Sequence, residues 1–141
     1  MKKLLTILLA SLLCLCCVGM VACKDEPKAD TYKIYSITAQ GTTYNVGDEM
    51  PAGFMDSPVA ITLTESYMII KLFDNGKVET EMAGEKTSEG MTWSQEGDVI
   101  TVVTVSEYEG ETYSYETVFT VDGEYISSEM GPGVIAKFKK A

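Results

Sequence analysis

Three hydrophobic patterns follow one another along the 141-residue chain. Residues 4–21 are almost entirely apolar behind Lys2 and Lys3, whereas residues 24–30 hold no large apolar side chain. From Thr31 onward, apolar and polar residues alternate in short runs broken by Gly, Asn, Asp and Pro, the period-two signature of half-buried strands. Residues 31–40, with Tyr32, Ile34, Tyr35 and Ile37, predict a first strand. Residues 41–58 carry Gly41, Gly47, Pro51, Gly53 and Pro58 and predict one long loop. Its Met50, Phe54 and Met55 suggest a segment folded back over the rest.

After Pro58 strands and tight turns succeed one another. Residues 59–63 and 67–73 read as one long or bent strand, turned by Asp74-Asn75-Gly76, where Asn and Gly both tolerate positive φ. Residues 77–83 set Val78, Thr80 and Met82 on one face. Residues 85–94 place Met91 and Trp93 together, and 98–105 form a β-branched run. Residues 112–121 alternate most clearly, with Tyr113, Tyr115, Thr117 and Phe119 on one side. Residues 124–129 and a closing run with Val134, Ala136 and Phe138 complete about eight strands. Strands joined by such short turns are antiparallel neighbours. The expected fold is all-β: an up-and-down antiparallel meander that closes into a small barrel and so removes its sheet edges. A two-sheet sandwich is the rival, though it usually needs longer crossing connections.

The first two patterns read as an address. A basic start, an apolar run and a small residue, Ala22, before a cut make a secretory signal. Met20-Val21-Ala22-Cys23 resembles the bacterial lipobox, with Met20 where leucine is usual. The resemblance implies a lipoprotein signal peptide over 1–22 and lipid attachment at Cys23, where two acyl chains would give stable anchoring. An acidic tether over 23–30 and a barrel domain over 31–141 would follow. The rival is an uncleaved membrane anchor over 4–22. Both place the domain outside the cytoplasm, in the cell envelope, because Lys2 and Lys3 stay inside.

Composition narrows the chemistry. The chain has no His and all eleven of its basic residues are Lys, for a net charge of −10 that becomes −12 without the signal lysines. Without His there is no Ser-His or Cys-His nucleophile and no His-ligated metal, and without Arg no bidentate fork for phosphate. A net acidic chain lacking a basic stripe is a poor partner for nucleic acid. Cys14, Cys16 and Cys17 lie inside the apolar run, so Cys23 alone would remain after cleavage, without an internal disulfide partner. Glu107, Glu109 and Glu111 surround Gly110 and read as a solvated acidic turn rather than a Ca²⁺ site. No enzyme activity, cofactor or metal is expected.

The order Tyr32–Ile37, long loop, Tyr67–Val78 with its Asp-Asn-Gly turn, Met91-Thr92-Trp93, Gly97–Val102 and a closing Ala136–Lys140 resembles the small lipocalin-like domains of bacterial lipoproteins. No Gly-x-Trp opens the first strand and no Arg stands near the end, so the resemblance bears on the barrel more than on a ligand. It implies a barrel with room for one small ligand or for side chains alone. The ligand-lining candidates are Met82, Met91, Trp93, Tyr113, Tyr115, Phe119 and Phe138. An apolar ligand inside the barrel is one expected function; an envelope protein-protein interaction or inhibitor module with a filled barrel is the other.

Overall fold

The computed structural model describes residues 26–141. The signal segment 1–22 and Cys23 lie outside the described residues. The chain is all-β. Its strands are β1 (Ala29–Ala39), β2 (Thr42–Asn45), β3 (Glu49–Met50), β4 (Ile61–Thr62), β5 (Met68–Phe73), β6 (Val78–Met82), β7 (Glu85–Thr87), β8 (Met91–Glu96), β9 (Val99–Tyr108), β10 (Glu111–Asp122), β11 (Tyr125–Gly131) and β12 (Val134–Lys140). One antiparallel sheet runs β7-β6-β5-β1-β12-β11-β10-β9-β8, with β2 added to β1, while β3 and β4 pair separately. Apart from the return of β12 to β1 and the pairing of β1 with β5 across the segment that carries β2, β3 and β4, this is a meander of hairpins, and it curls into a small barrel.

β1 holds the curl together. One edge pairs along its length with β12, from Tyr32 opposite Lys140 to Ala39 opposite Val134. The other edge is shared: residues 29–33 pair with β5 and residues 36–39 with β2. Its buried apolar side chains are Tyr32 and Ile34, then Ile37 and Ala39, so the inward phase changes midway. A register shift between Ile34 and Ser36 inserts Tyr35 as an extra residue, which is what reverses the phase. β1 begins at Ala29, two residues before the expected strand, and the Lys28 carbonyl already accepts the Asp74 amide at 2.9 Å. The strand thus takes in Ala29 and Asp30, which the expected tether would have included. Asp30 pairs with Lys140 at 3.0 Å, and that hydrogen bond raises the lysine's pKa. The lysine therefore stays charged at neutral pH, and its side of the contact is lost as pH climbs through the raised value.

The interior is one cluster. Ile126, Phe138 and Ile34 form a row across β11, β12 and β1, each at most 1% exposed, and Phe119 meets Phe138 edge-on with ring centres 6.1 Å apart. Each such side chain contributes about 1.5–3 kcal/mol by leaving water. The expected long loop is more structured than its Gly and Pro content suggests. It carries β2, β3 and a 3-10 turn at Phe54–Asp56, and sends Met50 into the core beside Leu63, both almost fully buried. Residues 59–73 are not one strand: Ile61–Thr62 pairs with β3, and β5 starts afresh at Met68.

Phe138→Ala removes the middle of the buried row. It is expected to cost about 3–5 kcal/mol, read as a lower denaturant midpoint at unchanged slope in chemical unfolding followed by circular dichroism.

Candidate functional site

The barrel is closed unevenly, and the uneven places define its openings. At one seam β6 and β8 meet through a single bridge, Lys77 opposite Thr92. The Asp74-Asn75-Gly76 turn lies beside it, with Gly76 at φ +84° as the turn requires. Trp93 spans this seam with two donors: its backbone N–H reaches the Gly76 carbonyl at 3.0 Å and its indole N–H the Phe73 carbonyl at 2.7 Å. Past the bridge, β6 pairs with the short β7 instead, and residues 88–90 cross back to β8. Gly90 allows that crossing. It sits at φ +72°, its carbonyl accepts the Val105 amide at 2.8 Å, and a Cβ there would fall on the Val105 carbonyl oxygen. A shallow hollow lined by Phe73, Val78, Met91 and Val105, with Lys77, Glu79 and Glu89 among its polar residues, marks the outside of the seam.

The second uneven place lies between β10 and β11. They pair only from Thr120 opposite Ser127 to Asp122 opposite Tyr125, and then part. β10 continues back to Glu111 paired with β9 alone, so the two form a hairpin that overhangs the barrel. Along this hairpin the inward face runs from Phe119 with Ile100, through Thr117 with Val102 and Tyr115 with Thr104, to Tyr113 with Ser106 and Glu111 with Tyr108. Phe119 is buried at the barrel end, while Tyr115, Tyr113 and Tyr108 are 58, 48 and 67% exposed beyond the rim.

Between these openings lies a cavity of about 660 Å³, within the range of small-molecule sites. Met68, Met82, Met91 and Met130 line it together with Phe119 and Phe138. Thr80, Thr104 and Thr117 add hydroxyls to the wall, Glu81 and Glu85 border it, and no lysine does. Methionine is flexible and polarisable, so such a wall adapts to apolar shapes. Among the described residues no buried side-chain polar atom lacks a partner. The wall therefore offers an occupant dispersion and hydrophobic burial rather than a fixed hydrogen-bond code.

Five of the seven expected lining residues meet here: Met82, Met91, Tyr115, Phe119 and Phe138. Trp93 faces the same core but sits at the seam, and Tyr113 stands out on the overhang; neither lines the cavity. The Tyr113 hydroxyl donates to Glu111 at 2.8 Å, a bond that raises the phenol's pKa. Sequence reasoning missed Met68, whose strand was merged with its predecessor, and Met130. The latter is the extra residue of a register shift between Glu129 and Gly131, and only the adjacent Gly131-Pro132-Gly133 turn hints at it. Met50, Phe54 and Met55 do not border the cavity. Glu107 and Glu111 fall on opposite faces of the hairpin, and no group of three or more potential metal-holding side chains occurs among the described residues.

Compared with protein-family models, curated proteins and solved structures, the chain matches none.

Trp93→Phe keeps the ring but removes the indole donor from the seam. It is expected to lower stability by about 1 kcal/mol in thermal unfolding followed by circular dichroism. Uptake of an apolar dye by the cavity should stay unchanged, because the indole is not part of its wall.

Proposed function

We propose that this protein is an extracytoplasmic lipoprotein, held in the cell envelope through a lipid on Cys23, whose lipocalin-like barrel binds a small apolar ligand. The observation that carries the ligand reading is the methionine-lined cavity of about 660 Å³. Met50 and Leu63 fill one part of the interior, yet the space between β5, β6, β8, β9 and β10 is left open to the outside. A barrel that needed every large side chain for packing would have no such space. The Cys23 reading rests on the lipobox resemblance, and the absence of Arg and His supports a binding role over a catalytic one.

The second reading is an interaction or inhibitor module in the envelope. The tyrosines on the β9–β10 overhang favour it, since exposed aromatic side chains clustered on a hairpin suit a protein surface.

Two substitutions test the main reading. Thr117→Phe places a ring in the cavity wall and is expected to abolish the fluorescence gain of an apolar dye while the circular dichroism spectrum stays unchanged. Full dye uptake by that variant would end the cavity reading. Cys23→Ser is expected to move the folded domain from the membrane to the soluble fraction; a variant that stays membrane-bound would favour the uncleaved anchor.

A further inference from the structure

The overhang leaves one strand edge without a neighbour. Val121 donates its amide to the Asp98 carbonyl on the β9 side at 2.7 Å. Hydrogen-bond direction alternates along an antiparallel strand, so the odd-numbered residues of β10 face β9. Thr112, Ser114, Glu116 and Val118 therefore turn their amides and carbonyls the other way, toward the side that β11 occupies only at residues 120–122. Among the described residues no strand pairs with that edge. A row of open donors and acceptors is a template for another extended chain.

The charge around this edge selects the occupant. Residues 87–136 contain no lysine, while Glu107, Glu109, Glu111 and Glu116 lie along the hairpin itself. A second copy docking edge to edge would set one acidic hairpin against another, which like-charge repulsion opposes. A cationic strand meets the opposite situation. Side chains projecting to one face would reach Glu116, and those projecting to the other would lie over the rings of Tyr113 and Tyr115, where ammonium and guanidinium groups are held by cation–π attraction.

We infer that the free edge of β10 is a docking site that takes up an extended lysine- or arginine-bearing segment of another protein as an added antiparallel strand. Backbone pairing supplies register, the carboxylates supply selectivity, and the tyrosines supply contact area. Of the side chains the site uses, Tyr115 alone also lines the cavity, and the test below reads the β10 amides and so does not depend on the apolar ligand.

The test uses the full chain in detergent micelles and a short synthetic peptide alternating lysine and valine, with a glutamate–valine counterpart as control. Amide NMR is expected to show slowed exchange at Thr112, Ser114, Glu116 and Val118 on adding the lysine peptide, weakening as salt is raised, and no response to the control. Ser114→Pro removes an outward amide without touching the β9 ladder and is expected to weaken uptake about tenfold. Glu116→Lys leaves the backbone edge intact and is expected to weaken the lysine peptide and admit the glutamate one. Equal binding of both peptides, binding unaffected by either substitution, or amides already protected through a concentration-dependent dimer would each overturn the proposal.

Discussion

The barrel depends on β1 being hydrogen-bonded on both of its edges. Most other pairings in the curl join consecutive strands, which turn chemistry can bring together; the exceptions are β1–β5, across the segment that carries β2, β3 and β4, and β1–β12. The pairing of Tyr32 with Lys140 joins almost the two ends of the domain. Closing so long a loop costs chain entropy that must be spent before the contacts reward it. The offset comes from the row of Ile34, Phe138 and Ile126, which becomes fully buried only once β12 lies against β1. The Tyr35 bulge then gives β1 its second role. By reversing the inward phase it lets the same strand serve β5 at one end and β2 at the other without turning Ile37 or Ala39 outward.

Much of this was legible in the residues. Asp74-Asn75-Gly76, Gly97-Asp98 and Asp122-Gly123 each mark a turn, and the alternation through 77–83 and 112–121 assigned faces that the structure keeps. What alternation cannot say is where a strand's neighbour ends. Tyr113 and Tyr115 share a face with Phe119, as their spacing demands, but β11 has already left and only Phe119 is covered. Bulges were equally hidden, because one inserted residue changes no composition; Tyr35 and Met130 are both cases. Trp93 shows a different limit. Its place in the pattern makes it look like lining, yet a half-buried indole N–H needs an acceptor, and the nearest is the Phe73 carbonyl across the seam.

The two uneven places also divide the labour of the wall. At the seam, a turn carbonyl, an indole and a glycine hold β8 against β6 where strand pairing is almost absent. At the overhang no strand among the described residues replaces the missing partner, and the wall stays open beside an acidic edge. Acidity there would oppose edge-to-edge pairing of two copies of the chain while leaving the backbone of β10 ready to pair.

The two ends of the molecule differ in what they would feel under load. Ala29, the Asp74 turn, the Asp122–Tyr125 turn and the C-terminal Lys140 gather at one pole, and the overhanging hairpin leaves from the other. A pull on the chain ahead of β1, resisted by something gripping the hairpin, would act along the strands. Hydrogen bonds perpendicular to the strands then stretch side by side rather than opening one after another. Because β1 is flanked by β12 on one edge and β5 on the other, both ladders would share that shear. The strand that closes the barrel is thus also the one best placed to bear tension between a surface behind the domain and a partner in front of it.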